Sequence, residues 1–143
     1  MTPGQPFVEH ASTVALGSRA VMIRGASGSG KSALALELMA LGCGLVADDR
    51  TILIRRGDDL VADCPSTIAG LIEARGVGLL AAVPAGPSRV SVCIDLDQIE
   101  TERLPPHRSI SYLGVSLPLI HKVERAYFAA AILQYLKAGR SDR

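Results

Sequence analysis

The fold is decided by Gly25-Ala26-Ser27-Gly28-Ser29-Gly30-Lys31-Ser32, which matches the pattern G-x-x-x-x-G-K-[ST] of a phosphate-binding loop. Its three glycines can adopt backbone angles that other residues avoid, so the chain can wrap closely around phosphate. The N–H groups of such a loop point inward and form a nest for an anion. Lys31 can place its charge between the β- and γ-phosphates, and the Ser32 hydroxyl can bind Mg²⁺. The sequence therefore predicts a binding site for a nucleoside triphosphate.

The residues on both sides of the loop supply the strand–loop–helix context that such a loop needs. Residues 19–24 form an apolar run that predicts a buried strand, and residues 32–41 have the spacing of a helix. The apolar face of this helix is predicted to carry Leu34, Leu38 and Leu41. Gly42 stands where a glycine often ends a helix. A glycine-rich turn with a chance lysine is the alternative, and this context argues against it.

Length and charge narrow the classes of function. With 143 residues, one domain is expected, long enough to bury a single core. The formal net charge is +1 at pH 7, and aromatic residues make up only 3% of the chain, with no tryptophan. Neither the basic excess nor the stacking residues typical of nucleic-acid binding are present. We therefore expect no nucleic-acid partner.

Nothing in the sequence predicts export or membrane insertion. Residues 1–6 are expected to be a loose lead-in, and they lack the basic and apolar regions of a signal peptide. No apolar run approaches the roughly 20 residues of a membrane span. The cysteines, Cys43, Cys64 and Cys93, form no C-x-x-C pair and are expected to be reduced and mostly buried. A cytoplasmic protein without a membrane partner is expected.

Two predicted hairpins distinguish this chain from a plain doubly wound nucleotide fold. Residues 12–16 and 19–24 are separated by Gly17-Ser18, a hairpin signal, so the strand entering the loop should pair antiparallel with the one before it. Residues 51–56 and 60–64 predict a second hairpin.

The pattern in the second half of the chain predicts a short helix 65–72 capped by Ser66 or Thr67, a strand 89–95, a loop 98–107, an edge or bent strand 110–123 and a helix 124–138. The apolar side of that last helix is predicted to carry Tyr127, Ala130, Ala131, Leu133 and Leu136.

Carboxylates follow two of the predicted strands. Asp48 and Asp49 come directly after the apolar residues 44–47, and Asp95 ends the strand 89–95. In open α/β sheets ligands bind at the carboxyl ends of strands, so either position can face the γ-phosphate. The adjacent pair could hold Mg²⁺ or take a proton from an attacking hydroxyl, and Asp95 competes for the Mg²⁺ role. The alternative for the pair is a solvated turn, in which aspartate is common.

Three further residues are ambiguous when only the pattern is considered. Glu73 and Arg75 lie on a glycine-flexed segment and could supply a metal ligand and a phosphate clamp, or form an exposed salt-bridging pair. His10 lies at the start of the first hairpin, where a lone histidine is usually structural or solvated. The pattern alone does not choose between these roles.

Four segments taken together resemble one family: His10-Ala11, the loop 25–32, Leu45-Val46-Ala47-Asp48-Asp49-Arg50 and Glu73-Ala74-Arg75-Gly76-Val77-Gly78. This family is the bacterial HPr kinase/phosphorylase, a serine kinase that acts on the phosphocarrier protein HPr of the sugar phosphotransferase system. The resemblance covers nearly the whole chain and implies that residues 1–143 form a single catalytic, C-terminal domain, like the short form in some proteobacteria. It implies a P-loop α/β fold akin to phosphoenolpyruvate carboxykinase, with a mixed sheet and flanking helices.

The resemblance also implies where ATP and Mg²⁺ would bind. Residues 25–32 would hold ATP, and Lys31 would contact its phosphates. Ser32 would bind Mg²⁺, and Glu73 resembles a second metal-linked carboxylate of the family. ATP and Mg²⁺ are thus the expected cofactors, with the preference for ATP over GTP taken from the family.

The catalytic roles follow from the same resemblance. Asp49 is similar to the general base that activates the acceptor serine, and His10 to the active-site histidine of the family. Arg103 is similar to the catalytic arginine. The partner would be HPr or a paralogue of it, and the family is hexameric, so a homo-oligomer is expected. Members that also remove the phosphate carry a Gly-Arg-Asn element near the last helix, which residues 117–125 lack, and this weakens the expectation of phosphorylase activity.

Two alternatives to a phosphocarrier kinase follow from the loop. A small-molecule P-loop kinase of the shikimate type would be expected to continue from the Asp48–Asp49 pair into a helix, whereas residues 51–64 predict a hairpin. A non-catalytic ATP-binding regulator would sense the nucleotide and transfer nothing. The presence of Lys31, Ser32 and Asp49 argues against the regulator, because each of them has a role in phosphoryl transfer.

Overall fold

The computed structural model describes residues 4–141; the first three residues of the predicted lead-in and the last two of the chain lie outside them. In chain order the strands are β1 (Phe7–Glu9), β2 (Ala11–Leu16), β3 (Arg19–Arg24), β4 (Gly44–Ala47), β5 (Thr51–Arg56), β6 (Asp59–Asp63), β7 (Leu71–Ala74), β8 (Gly78–Ala81), β9 (Ser88–Ile99), β10 (Arg108–Tyr112) and β11 (Val115–Lys122). The α-helices are α1 (Lys31–Ala40) and α2 (Phe128–Ala138), and a 3-10 turn covers Ser66–Ile68. Within the described residues, no helix is long and apolar enough to cross a membrane.

A mixed sheet carries the phosphate-binding loop. β2 and β3 form the predicted antiparallel hairpin and pair along their whole lengths, from Ala11 opposite Arg24 to Leu16 opposite Arg19. β3 then pairs parallel with β9, β9 parallel with β11, and β2 antiparallel with β4. The loop connects the carboxyl end of β3 to the start of α1. The predicted ligand site therefore lies at the edge of the sheet where β3 ends.

Both helices cover one face of this sheet. Successive residues of a strand point to opposite faces, so Val21 and Ile23 of β3 pack toward the helices while Ala20 and Met22 face away. α1 buries Leu34 and Leu38 as predicted, but Leu41 is 47% exposed because the helix ends at Ala40. In α2 the predicted apolar side is confirmed for Leu133 and Leu136 and was wrong for Tyr127, Ala130 and Ala131, which are exposed. The other buried residues of this helix are Phe128, Ala129 and Ile132.

The opposite face is covered by strands instead of helices. The predicted second hairpin is confirmed as β5–β6, which joins β1 on one side and the start of β9 on the other. Together with β10 and the first half of β11, it encloses a second core that includes Met22, Leu53, Leu60, Cys93 and Leu117. The described part of the chain therefore has three layers: helices, central sheet and a folded-over set of strands.

Three predictions about loops and strands were wrong in detail. The segment 110–123 is not one bent strand: Leu113 and Gly114 both have positive φ, of 52° and 80°, and turn the chain back between β10 and β11. The short helix 65–72 is only the turn Ser66–Ile68, with Pro65 at its N-cap and no side-chain cap from Ser66 or Thr67. The loop predicted from residue 98 starts later, because β9 continues to Ile99.

A small separate hairpin lies beside α1. β7 and β8 pair with each other as a two-stranded sheet, from Leu71 opposite Ala81 to Ala74 opposite Gly78. The side chain of Ile72 is buried in the core on the helix side, which fixes β7 against α1. The next residue along the strand, Glu73, is exposed. Anchoring one side of β7 in this way turns the other side, with Glu73, toward the phosphate-binding loop.

Candidate active site

The phosphate-binding loop is shaped by glycine at its two ends. A Cβ on Gly25 would lie 2.6 Å from Ser29 Oγ, so only glycine lets the loop close on itself. Gly30 has φ of 102° and caps the N-terminus of α1, which starts at Lys31. The Lys31 side chain is buried, and its Nζ donates hydrogen bonds to the backbone oxygens of Gly25 (2.9 Å) and Ala26 (3.0 Å). The ammonium group is thereby held against the entry of the loop, next to the positive end of α1.

Asp97, which the sequence pattern did not single out, holds the start of this loop. The N–H of Ala26 lies 3.0 Å from both carboxylate oxygens of Asp97. The neighbouring strand β9 supplies this carboxylate and continues beyond the predicted end at Asp95. The alternation Asp95-Leu96-Asp97 could have indicated Asp97, since residues two apart on a strand point to the same side of the sheet.

Asp48 is the centre of the hydrogen-bond network behind the loop. It is buried, and its Oδ1 accepts hydrogen bonds from the hydroxyls of Ser32 (2.7 Å) and Ser12 (2.8 Å). Its Oδ2 accepts a hydrogen bond from the backbone N–H of Glu73 at 3.1 Å. One carboxylate therefore connects the loop serine, strand β2 and strand β7.

Asp49 has different surroundings from its neighbour. Its φ is 67°, a left-handed conformation that is uncommon outside glycine, and its side chain is 61% exposed. Its Oδ1 lies 2.5 Å from Nε2 of His10, which is 47% exposed. The structure thus brings His10 and Asp49 together at the edge of the site, as a hydrogen-bonded pair open to an incoming group.

Asp95 is engaged elsewhere. Its Oδ2 accepts a hydrogen bond from Nη1 of Arg24 at 3.2 Å, and its Oδ1 accepts one from the N–H of Asp97 at 2.9 Å. Arg24 also lies 4.0 Å from Glu9, whose carboxylate accepts a hydrogen bond from the Tyr112 hydroxyl at 2.5 Å. Burial, together with this bond, raises the pKa of Tyr112. Two positions were candidates for the carboxylate that supports Mg²⁺. Asp48 contacts Ser32, whereas Asp95 is hydrogen-bonded to Arg24 and to the backbone of Asp97.

Lys31, Ser32, Asp48 and Asp49 line one cavity of about 470 Å³. The loop from Ser27 onward and the first turn of α1 form one wall, the Asp48–Asp49 turn a second, and the segment from Glu73 to Arg75 a third. The volume lies within the range of roughly 300–1,000 Å³ that is usual for small-molecule sites. Glu73 and Arg75 therefore face the same space as Lys31 and Ser32.

Arg103 lies apart from this cavity. It lines a different cavity of about 750 Å³, between the segment that follows β9, the strand β11 and the helix α2. Glu100, directly after β9, and Arg108, at the start of β10, form a two-point ion pair, with N–O distances of 3.1 and 2.9 Å. Within one chain, the structure does not bring Arg103 together with the other predicted site residues.

The residues of the 470 Å³ cavity fit Mg²⁺ in the company of a nucleotide. Mg²⁺ is held in proteins by few oxygen ligands and completes its shell with water and substrate phosphates. The Ser32 hydroxyl, hydrogen-bonded to the Asp48 carboxylate, provides such an incomplete oxygen set. Accordingly, the described residues contain no cluster of three or more His, Cys, Asp or Glu side chains that would hold a metal by themselves.

Comparisons with known proteins place these features in context. The sequence profile described as the HPr serine kinase C-terminal domain matches residues 5–108. The proteins named HPr kinase/phosphorylase from Cupriavidus necator and Ralstonia pickettii are each 51% identical over 61 residues, which is 42% of this chain and 19% of theirs. The structure of the Hpr(Ser) kinase/phosphatase from Coxiella burnetii superimposes with a TM-score of 0.75 at 24% identity. That match covers 92% of this chain and 94% of the other, and it shows a shared fold.

Proposed function

The chain belongs to the HPr serine kinase C-terminal domain family, and from this premise we propose that it is an ATP-dependent protein serine kinase acting on HPr or a paralogous phosphocarrier. In this proposal residues 1–143 act as one catalytic domain, and the protein works as a cytoplasmic homo-oligomer, a hexamer by resemblance. The matched segment spans 19% of the length of these curated relatives, whose names support the proposal.

One observation carries the proposal: the loop serine and the two aspartates meet in one cavity with different contacts. Asp48 is buried and bonded to Ser32, while Asp49 is exposed and bonded to His10. A phosphoryl-transfer site needs one group that supports the metal ligand and another that can receive a proton from the nucleophile. The adjacent carboxylates suit these two tasks, because only one of them is accessible.

The residues of this chain can then be given roles. Lys31 would hold the phosphates of ATP against the loop, whose N–H groups supply further donors. Bound Mg²⁺ would neutralise phosphate charge. Asp49 would accept the proton of the acceptor serine hydroxyl while its bond to His10 keeps the carboxylate oriented. Most of the rate enhancement would come from positioning and electrostatics, as is usual for phosphoryl transfer.

Two side chains at the open side of the cavity complete the proposal. Glu73 would serve as the second metal-linked carboxylate, since it lines the same cavity as Ser32. Arg75 lines the same cavity and could clamp a phosphate. We assign Arg103 no role in phosphoryl transfer within a single chain, because it lines the other cavity.

The alternatives are less well supported. After the Asp48–Asp49 turn the chain forms the hairpin β5–β6, where a shikimate-type kinase would be expected to have a helix. A pure nucleotide sensor has no need of an exposed carboxylate paired with a histidine at the site. Both alternatives nevertheless predict ATP binding, so binding alone does not distinguish them from a protein kinase.

The test is incubation of the purified chain with Mg²⁺-ATP and purified HPr-type carriers, followed by intact mass of the carrier. We expect the mass of one phosphoryl group to appear on the carrier. Adding inorganic phosphate to the phosphorylated carrier then tests for phosphorylase activity, which the missing Gly-Arg-Asn element makes the weaker expectation. Tight ATP binding without transfer to any carrier would contradict the proposal and favour a small-molecule kinase or a sensor.

A further inference from the structure

Ser12 touches both aspartates of the site through a single hydroxyl. It lies in strand β2 and is 0% exposed. Its Oγ donates a hydrogen bond to Asp48 Oδ1 at 2.8 Å and accepts one from the backbone N–H of Asp49 at 3.1 Å. Both hydrogen-bonding functions of this hydroxyl, as donor and as acceptor, are therefore directed at the Asp48–Asp49 turn.

The conformation of Asp49 makes the second of these contacts important. A non-glycine residue with φ of 67° is held there only when its surroundings fix it. The bond from its N–H to Ser12 is such a restraint, and the bond from its carboxylate to His10 is another. His10 directly precedes β2 and Ser12 is the second residue of that strand, so one short segment binds both the N–H and the carboxylate of Asp49.

We propose that Ser12 is a positioning residue of the transfer site, which couples the Asp48 carboxylate behind the loop serine to the backbone of Asp49. This inference rests on the proposed kinase function. Without the hydroxyl, Asp48 loses one of the two donors to its Oδ1, and the Asp49 N–H loses its acceptor. Ser32 and Asp49 can then shift relative to each other, although neither side chain has been changed.

The next residue along the chain provides a matched control. Thr13 is also 0% exposed and also carries a buried hydroxyl. It points to the other side of β2 and bonds to the Thr51 hydroxyl at 2.8 Å. Thr13→Val therefore removes a buried hydrogen bond from the same strand without touching either aspartate.

The first arm of the test compares the kinetics of the two variants. We expect Ser12→Ala to lower kcat for carrier phosphorylation roughly 10- to 100-fold, as small misplacements of reacting groups do. The KM for Mg²⁺-ATP should change by less than about threefold, because the loss falls on the transfer step. Thr13→Val should keep kcat within about twofold even if it lowers the melting temperature equally. Equal kcat values for the two variants would overturn the proposal.

The second arm needs no phosphoryl transfer and so separates this inference from the proposed function. The amide proton of Asp49 should move upfield in the NMR spectrum of Ser12→Ala and stay in place in Thr13→Val. An unmoved amide in Ser12→Ala would overturn the proposal even for an active enzyme. If the wild-type chain transfers nothing, the kinase proposal fails, and this amide shift still decides whether Ser12 holds the turn.

A third variant guards against a simple packing effect. Ser12→Cys leaves no cavity, because its sulfur is somewhat larger than the oxygen it replaces, but it offers a much weaker hydrogen bond. It should therefore resemble Ser12→Ala in kcat and in the Asp49 amide shift, and it replaces Ser12→Ala if that variant does not fold. A Ser12→Cys variant with wild-type kcat and an unmoved amide would show that Ser12 only fills space, and the proposal would be wrong.

Discussion

At the scale of single residues, two adjacent aspartates differ because their backbones differ. Asp48 directly follows strand β4 with its carboxylate buried, whereas the left-handed Asp49 turns its carboxylate outward. The sequence predicted that the pair belongs to the site, because both follow a strand next to a phosphate-binding loop. It did not show which of them contacts Ser32, because the φ angle of a single residue cannot be inferred from the spacing of apolar and polar residues. The same is true of Ser12, which lies in an ordinary strand sequence.

Replacing Asp49 by asparagine tests the role proposed for its carboxylate. An amide of the same shape cannot accept the proton of the acceptor hydroxyl, so we expect kcat to fall roughly 10²- to 10⁴-fold. Affinity for ATP should change little, because the loop and Lys31 are untouched. Steady-state kinetics and titration with a fluorescent ATP analogue measure the two quantities.

Asp58→Asn is the control for this substitution, since Asp58 is an exposed aspartate in the turn between β5 and β6. It should leave both quantities unchanged. Undiminished transfer by Asp49→Asn would show that this carboxylate is not the general base.

At the scale of elements, the sequence correctly predicted a helix after the loop but placed both of its ends one residue too late. Its apolar spacing and the following glycine indicated a helix, and the observed α1 is shifted by one residue from the predicted 32–41. That shift matters for Leu41, which falls beyond the helix and stays exposed. Boundaries depend on capping contacts, which periodicity does not record.

The two leucines of α1 give a matched test of this packing. Leu38 is 0% exposed in the core between α1 and the sheet, so Leu38→Ala should lower the free energy of unfolding by about 2–5 kcal/mol. Leu41→Ala should change it by less than about 0.5 kcal/mol, as exposed positions usually do. Urea denaturation followed by circular dichroism measures both. Equal losses for the two variants would contradict the observed end of the helix.

The hairpin β10–β11 shows what periodicity missed. The sequence predicts one edge or bent strand over residues 110–123, whereas Leu113 and Gly114 form a turn. A positive φ at leucine is rare, so the dipeptide is not a usual turn signal. The structure stabilises it in part through Arg55, which donates a hydrogen bond to the Leu113 oxygen at 3.1 Å from a distant strand.

An ion pair bridges the loop between β9 and β10. The hydrogen bond from Arg108 holds the pKa of Glu100 below its ordinary value of 4.5. The pair therefore stabilises the fold above about pH 4.5, and its contribution is lost as pH falls through the lowered pKa. Glu100→Gln should be less stable than wild type at pH 7, and the difference should shrink and vanish in strong acid.

Urea denaturation at a series of pH values from neutral to strongly acid measures this difference. Glu102→Gln is the control, because its carboxylate lies 3.7 Å from Arg108 and is 59% exposed. It should change stability less than Glu100→Gln at neutral pH. A stability difference for Glu100→Gln that persists unchanged into strong acid would show that the ion pair is not its cause.

At the scale of the whole molecule, the sequence indicated the fold class through one loop and its flanking elements. The mixed sheet with helices on it was expected from the resemblance and is present. What could not be read was the long-range pairing of β9, which contacts β3, β6 and β11. Such pairings depend on segments far apart in the chain, and local periodicity carries no information about them.

The reactivity of the cysteine thiols depends on how deeply this layered packing buries them. Burial raises the pKa of Cys93 to about 12 and raises that of Cys43. Burial and the nearby Asp63 also raise the pKa of Cys64, which is the only one of the three that is partly exposed. Because the thiolate is the reactive form, iodoacetamide at pH 8 should modify Cys64 first and Cys93 last.

Mass spectrometry of peptides over a time course measures that order, and all three cysteines should react quickly in denaturant. Cys93 reacting as fast as Cys64 in the native protein would contradict the packing of the central sheet between its two covering layers.

In the proposed function, the loop, the Asp48–Asp49 turn and His10 form a site that moves the γ-phosphoryl group of ATP to a serine of a phosphocarrier. Tandem mass spectrometry of HPr after incubation with Mg²⁺-ATP and either wild type or Asp49→Asn tests it most directly. The account predicts a phosphoserine made by the wild type and at least about 100-fold more slowly by the variant. Phosphoserine formed equally by both proteins, or by neither on any carrier, would contradict it.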